Sequence, residues 1–261
     1  MRAIVFLGGG RITGALLAGL RLAKYRQPII VHDRHPRKLR DLRAHDRVVT
    51  EKDLQRAVRR ARLLIVAVRP DGVQPLLQEI GQIRRPLPAV SLAAGVPLRK
   101  LRALLGPPVV WARAMPSPAC RSGHGLTAVT FEKKFPVAAR RELKSLFASA
   151  GPVLEIPERQ FDAFTVTYSC SHGYHALASL TDAAVRLGLN RQTARLAAAH
   201  ALADGILAWR ATGASLGSLL HQAATPGGIA AGVMESMNSS GFRQSIQAGL
   251  KEGLRRARRH A

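Results

Sequence analysis

A glycine cluster near the start of the chain has the residue types and spacing to bind the diphosphate of a dinucleotide. Residues 3–7 form a short apolar run, residues 8–10 are all glycine, and residues 12–22 carry apolar side chains at helical spacing. This strand–turn–helix context favours a dinucleotide site, because amide N–H groups at a helix start attract phosphate. The G-x-G-x-x-G pattern is incomplete, since Thr13 stands in the sixth position. An ordinary tight turn is the alternative.

The end of the second predicted strand, residues 28–31, carries the residues that would meet the adenosine ribose. An acidic side chain here favours a free 2′-hydroxyl, whereas arginine favours a 2′-phosphate. Asp33 is followed by Arg34, Arg37 and Lys38, so cations outnumber the carboxylate. We therefore predict NADPH as the cofactor, with NADH as the other option. Arg37 and Lys38 could equally face solvent on the following helix.

The elements that position these residues alternate between strand and helix in the first half of the chain. Further strands are predicted at residues 63–68, 89–92, 109–111, 126–130 and 152–156. A helix at residues 51–60 would be capped by Thr50. Residues 113–119 read as a proline-bracketed loop, and the Ala93-Ala94-Gly95 segment would let a flat ring come close.

From Phe161 onward the chain contains only helical patterns and much alanine. The sequence thus predicts an α/β Rossmann-like domain at residues 1–157, followed by an all-α domain at residues 158–261. A helical domain with so few large side chains buries little core by itself. Pairing with a second chain would compensate for this.

Composition limits the function classes. The 261 residues carry a formal charge of +24, which suits either a nucleic-acid binder or an arginine-rich proteome, and also attracts anionic ligands. The cations are scattered and lack interleaved aromatic residues, so we predict no specific nucleic-acid function. The sequence contains no run of eighteen apolar residues, no signal peptide and no metal-ligand spacing. Cys120 and Cys170 read as free thiols, and together these features predict a cytoplasmic protein without a membrane span.

Several segments, in this order, resemble the pyrroline-5-carboxylate reductases along the whole chain. They are FLGGGRITGALLAGL, VHDRHPRKLRDL, VAVRP, SLAAGVPLRKL, RAMPSPA and ATPGGIAAGVMESMNSSGFRQSIQAGL. The resemblance implies a Rossmann domain that binds NAD(P)H and a helical domain that dimerises by interleaving. It also implies reduction of a cyclic imine carboxylate in proline biosynthesis. A protonated imine accepts hydride readily, so the protein mainly positions the two reactants and needs no metal.

The resemblance also implies the site residues. The expected cofactor contacts are Gly8, Gly10, Arg11, Ile12, Arg34, Val68, Arg69, Pro70 and Ala94. The expected substrate contacts are Ser169, Tyr174, Gly227 and Gly228, and the expected catalytic residues are Ser171, His172 and Thr225. A histidine could act as general acid, with packing or capping as its alternative role, and His175 is a weaker candidate.

The substrate half departs from the family pattern. The usual SGSGPAY turn is YSCSHGY here, and Ile229 and Ala230 stand where the family has two threonines. One alternative is therefore an imine reductase of the same fold with a changed, bulkier substrate. A further alternative is a non-catalytic dinucleotide-binding or nucleic-acid-binding protein.

Overall fold

The computed structural model describes residues 2–46 and 48–259 and contains an eight-stranded sheet. The strands are β1 (Ala3–Leu7), β2 (Ile29–His32), β3 (Val49–Glu51), β4 (Ala61–Val66), β5 (Leu87–Ser91), β6 (Val109–Met115), β7 (Thr127–Phe131) and β8 (Val153–Glu155). Helices between the strands are α1 (Arg11–Leu22), α2 (Pro36–Asp46), α3 (Leu54–Arg60), α4 (Pro70–Ile80), α5 (Leu98–Leu104) and α6 (Val137–Ala148). The later helices are α7 (Glu158–Thr167), α8 (Cys170–Arg186), α9 (Arg191–Thr212), α10 (Leu216–Ala223), α11 (Ile229–Ser239) and α12 (Phe242–Arg258).

The sheet has the order β3-β2-β1-β4-β5-β6-β7-β8, and neighbouring strands are parallel except for the antiparallel pair β6–β7. Helices cover both faces, which is why β1 is apolar along its whole length. Ile4 and Phe6 belong to the core that includes side chains of α1, α2 and α6. Val5 and Leu7 belong to the opposite core, with side chains of α3, α4 and α5. The predicted Rossmann-like fold is confirmed.

The chain divides into two compact units. The chain up to Tyr168, together with the chain from Gly253 onward, forms the first unit, and residues 169–252 form the second. Helix α12 therefore begins in the second unit and ends in the first. No helix within the described residues is long and apolar enough to cross a bilayer.

The second unit is helical and buries little of its own apolar surface. Within residues 169–252, all of which are described, only Thr181, Ala194 and Ala198 are buried. Large apolar side chains are exposed instead, reaching 87% for Leu187 and 90% for Ile229. Others are Tyr174, Leu180, Val185, Leu189, Leu196, Ile206, Leu207, Trp209, Leu216, Leu220, Val233, Met237, Phe242 and Ile246. An exposed apolar surface of this extent is typical of a protein–protein interface.

Most predicted strand ends agree with the observed ends to within two residues, but two local expectations were wrong. Thr50 lies in β3 and does not cap a helix; α3 begins at Leu54, and Asp53 caps it by accepting a hydrogen bond from the N–H of Arg56 at 2.6 Å. The expected loop at residues 113–119 begins as strand, because β6 continues to Met115 by pairing with β7. A 3₁₀ turn then spans Pro118–Ser122.

Candidate functional site

Gly8 lets the chain after β1 pass close to the chain after β4. Its φ of +114° is a conformation that residues with side chains rarely adopt, and a Cβ atom there would lie 2.5 Å from the carbonyl oxygen of Ala67. The Gly8 N–H donates to the carbonyl of His32 at 2.7 Å. This glycine is thus required by the packing of the protein itself.

Gly10, in contrast, faces open space. It is the N-cap of α1, with φ of −81° and ψ of −173°, and a Cβ atom there would meet nothing within 4 Å. No side chain caps this helix start, and its first turn contains no acidic residue. The first amides of a helix have no partner within the helix, so this end presents N–H donors and a positive dipole. Arg11 beside it is exposed, and the arrangement fits a diphosphate.

Thr13 explains why the glycine motif is incomplete. Its side chain is buried, and its hydroxyl donates to the carbonyl oxygen of Gly8 at 2.6 Å. The threonine therefore braces the glycine turn from inside the helix and does not project into the space beside Gly10. Sequence reasoning treated this position only as a missing glycine, because the bond depends on the turn's final shape.

Asp33 is turned toward the glycine turn. Its carboxylate accepts hydrogen bonds from the N–H of Gly9 at 2.7 Å and from the N–H of His35 at 2.8 Å, and the ammonium of Lys38 lies 3.4 Å away. Burial would raise the pKa of Asp33, but the two N–H donors and the Lys38 charge outweigh it and hold the pKa below its ordinary value. This acid holds the turn in shape.

Arg34 remains exposed directly after Asp33, as does Arg37 on α2. Lys38 is paired with Asp33, so it is not simply a solvent-facing cation. Because the carboxylate already accepts two backbone N–H groups, it is poorly suited to bind two ribose hydroxyls as well. Exposed guanidinium groups at this strand end suit a 2′-phosphate.

The loops after β4 and β5 meet the glycine turn at one edge of the sheet, because parallel strands β1, β4 and β5 are neighbours. A Cβ atom on Gly8 would lie 3.3 Å from Cγ1 of Val68. Arg69 is exposed and precedes Pro70, the first residue of α4. Ala94 is half-buried in the loop after β5. The structure thus brings the cofactor residues predicted after β1, β4 and β5 to one edge.

The predicted catalytic turn forms the start of α8 in the second unit. Ser169 is the N-cap: its hydroxyl accepts from the N–H of Ser171 at 3.4 Å and lies 2.7 Å from the Ser171 hydroxyl. The N–H of His172 donates to the Ser169 carbonyl at 3.1 Å. Tyr174 is 67% exposed. Sequence-adjacent serines and histidine therefore share one helix start.

The Pro-Gly-Gly segment forms the start of α11. Gly227 has φ of +76°, Gly228 is the N-cap, and its N–H donates to the carbonyl of Thr225 at 2.9 Å. No side chain caps α11, and Ile229 at its first position is almost fully exposed. A second helix start thus presents backbone donors suited to a carboxylate.

Arg113 was missed as an organising residue because sequence reasoning placed it in a loop. It is 1% exposed, and its guanidinium lies 3.0 Å from Glu158 and 2.6 Å from Asp162, both on α7. The same group stacks 4.3 Å from the ring centroid of Phe161. A buried cation needs such partners, and no sequence signal near Arg113 connects it with the acids of α7.

Both cysteines are free thiols, as predicted. Burial raises the pKa of the Cys120 thiol, which makes this sulfur inert. Across the described residues, no group of three or more His, Cys, Asp or Glu side chains could hold a metal ion.

Comparisons with known proteins match both halves of the chain. A family described as pyrroline-5-carboxylate reductase dimerisation matches residues 158–260, and one described as NADP oxidoreductase coenzyme F420-dependent matches residues 3–95. The pyrroline-5-carboxylate reductase of Mycobacterium tuberculosis strain H37Rv is 31% identical over 286 residues, covering 98% of this chain and 96% of the relative. That of Thermus thermophilus is 31% identical and covers 97% and 96%.

Solved structures have the same fold. The pyrroline carboxylate reductase of Plasmodium falciparum with NADP bound superposes with a TM-score of 0.87 at 20% identity, covering 99% of this chain and 98% of that one. The 1-pyrroline-5-carboxylate reductase of Streptococcus pyogenes has a TM-score of 0.90 at 19% identity, covering 98% and 97%.

Proposed function

The chain belongs to the pyrroline-5-carboxylate reductase family, and from this premise we propose that it reduces the C=N bond of pyrroline-5-carboxylate to form proline. The cofactor is NADPH. The geometric observation that carries the proposal is the open start of α1, where no side chain caps the helix and a Cβ atom on Gly10 would meet nothing within 4 Å. The similarity to reductases of this name along nearly the whole chain supplies the substrate.

The first unit holds the cofactor. The amides of Gly10, Arg11 and Ile12 would hold the diphosphate, with Gly8 shaping the turn, and Arg34 would hold the 2′-phosphate. Val68, Arg69, Pro70 and Ala94, which follow β4 and β5, would hold the nicotinamide end. The bound cofactor supplies the hydride, and these residues hold and orient it.

The second unit holds the substrate. The turn formed by Gly227 and Gly228 and the uncapped first amides of α11 that follow it would hold its carboxylate. The Thr225 hydroxyl assists, since the side chains of Ile229 and Ala230 provide no hydroxyl. Ser169 and Tyr174 line the substrate position. Ser171 and His172, which share the start of α8, would pass a proton to the imine nitrogen, so that its carbon accepts hydride.

The chain acts as a homodimer through its helical domain. We assign the cofactor-binding domain to residues 1–157 and the dimerisation domain to residues 158–261, following the two family matches. The exposed apolar side chains of the second unit support this, because a partner copy would bury them. The free cysteines support a cytoplasmic location. The net charge of +24 is assigned no specific nucleic-acid role.

The test is a turnover assay with the purified full-length chain. NADPH oxidation is followed with pyrroline-5-carboxylate, and saturable turnover with proline as product is the expected result. Bulkier cyclic imines serve as competing substrates, and RNA serves as a binding control. Turnover of a bulkier imine without turnover of pyrroline-5-carboxylate contradicts the substrate assignment. A melting temperature that RNA raises and NADPH leaves unchanged contradicts the whole proposal.

A further inference from the structure

We propose that the last turn of α12 is a positioning element for the loop at residues 92–97, which follows β5 and carries Ala94. The inference rests on the proposed function, which places this loop at the nicotinamide end of the cofactor. Helix α12 itself touches no reacting atom in this proposal. Its part is to hold the backbone of the loop in the conformation that orients the ring.

The proposal rests on a direct contact between the backbones of Gly95 and Ala257, both of which belong to the first unit. Gly95 has φ of +72°, and a Cβ atom built on it would lie 2.2 Å from the carbonyl oxygen of Ala257 and 2.9 Å from its carbonyl carbon. A distance under 3.0 Å forces something to move, and here the obstacle is rigid helix backbone. Only glycine at position 95 permits α12 to pass this close to the loop.

A second glycine, Gly253, allows close packing on the same face of α12. Gly253 lies four residues before Ala257, hence on the same side of the helix. A Cβ atom on Gly253 would lie 3.4 Å from Cβ and Cγ1 of Val166 on α7. The end of α12 therefore packs against α7 at one point and against the loop at another.

Helix α7 in turn holds the other end of the loop. Oε1 of Glu158 accepts a hydrogen bond from the N–H of Leu98, the first residue of α5, at 3.0 Å. The same oxygen lies 3.0 Å from the guanidinium of buried Arg113. Gly95 thus contacts α12 while the adjoining Leu98 is held by α7, so loss of the α12 contact frees the loop at Gly95 and leaves the Leu98 hydrogen bond in place.

The end of the chain also reaches the second nicotinamide loop. Arg259 lines a surface cavity together with Pro70 and Asp71, which begin α4, and with Val96. Pro70 directly follows the loop after β4, and β4 is the neighbour of β5 in the sheet. One short C-terminal segment therefore lies beside both loops assigned to the nicotinamide end.

Hydride transfer depends steeply on the position of the ring, and a misplacement of about 1 Å can cost about a hundredfold in rate. The diphosphate and 2′-phosphate contacts lie elsewhere, at α1 and Arg34. Disturbing the α12 contact should therefore lower kcat by about tenfold or more while raising the Kd for NADPH by less than about threefold. If the contact only stabilised the fold, its loss would lower the melting temperature without lowering kcat more than the affinity for NADPH.

The experiment compares Gly95→Ala with the matched control Gly123→Ala. Gly123 has a similar φ of +77°, so both variants carry the same kind of backbone strain. A Cβ atom at Gly123 meets nothing within 4 Å, however, so only Gly95→Ala brings a methyl group against Ala257. We expect the kcat loss in Gly95→Ala alone. Equal kcat values in the two variants overturn the proposal.

A chain shortened to end at Arg256 lacks Ala257, and therefore the carbonyl group that the methyl of Gly95→Ala would meet. This shortened chain tests the proposal even if Gly95→Ala fails to fold. In the shortened chain, kcat should already be reduced, and adding Gly95→Ala should lower it by no more than the Gly123→Ala change does. Additive losses in this double-mutant cycle contradict direct contact.

Hydrogen exchange of the cofactor-free protein separates this inference from the proposed function. Amides of residues 92–98, other than the proline, should exchange faster in the shortened chain than in the full chain, whatever imine the protein reduces. Unchanged exchange there overturns the inference. Absence of pyrroline-5-carboxylate turnover by the full chain, with faster exchange in the shortened one, contradicts only the proposed function.

Discussion

Replacing Gly10 by alanine tests whether the start of α1 receives the cofactor diphosphate. The new methyl group meets no protein atom within 4 Å, and a φ of −81° suits alanine without strain. The folding cost is limited to the poorer N-cap, about 1 kcal/mol or less. The methyl would nevertheless occupy the space through which, in the proposed site, a diphosphate reaches the first amides of the helix.

The expected loss of affinity follows from the hydrogen bonds at stake. One hydrogen bond to a charged group contributes about 1.5–3 kcal/mol. Loss of one such bond weakens NADPH binding about tenfold to a hundredfold. Isothermal titration with NADPH gives the Kd, and chemical denaturation of the same samples gives the free energy of unfolding.

Two neighbouring glycines serve as controls. Gly8→Ala should instead destabilise the fold by more than about 1 kcal/mol, because its φ is +114° and its Cβ would meet the Ala67 carbonyl at 2.5 Å. Gly14→Ala, whose Cβ would make only ordinary contacts at 3.9 Å, should retain NADPH affinity and gain about 0.5–1 kcal/mol of stability. If Gly10→Ala binds NADPH as tightly as Gly14→Ala does, the diphosphate does not bind at this helix start.

Three other substitutions test the remaining parts of the site and its support. Arg34→Ala should weaken NADPH binding far more than NADH binding in paired titrations, and an equal effect on both excludes a 2′-phosphate contact. Asp33→Asn should destabilise the protein at neutral pH. Because folding lowers the pKa of Asp33, its carboxylate stabilises the fold fully above its unfolded pKa, and this contribution disappears as the pH falls through the folded value. Unfolding curves of wild type and Asp33→Asn should therefore converge in acid, and a constant gap refutes the assignment. Arg113→Met should cost about 1.5–3 kcal/mol in chemical denaturation, because it removes the charged hydrogen bonds to the partly exposed carboxylates of Glu158 and Asp162. Adding Glu158→Gln and Asp162→Asn should restore part of the loss, and an unchanged stability in Arg113→Met contradicts the buried-pair reading.

The fold was predictable because its signals are local. The apolar run at residues 3–7 and the glycines after it specify a buried strand and a turn within ten residues. The change from short continuous apolar runs to alanine-rich helical spacing after Glu158 likewise needs no tertiary information. The cap of α3 was harder to predict, because Thr50 and Asp53 are both good N-cap residues and only the length of β3 decides between them.

The support of the site was not predictable, because it depends on contacts between distant segments. Asp33 was weighed in the sequence only as a sign of a free 2′-hydroxyl, whereas in the structure its carboxylate accepts from the N–H of Gly9, which is 24 positions away. Thr13 looked like a defect in the motif, whereas its hydroxyl braces Gly8. Arg113 pairs with acids more than forty positions later, a separation at which no local pattern indicates a partner.

The division of α12 between the two units has a consequence for biosynthesis. The cofactor-binding body is discontinuous in sequence, since the segment that follows Gly253 packs within it. A ribosome releases the amino-terminal part first, and domains generally fold in that order. The loop around Gly95 therefore acquires its native neighbour only after Ala257 has left the exit tunnel, so the cofactor-binding region cannot complete its folding before the whole second unit has been synthesised.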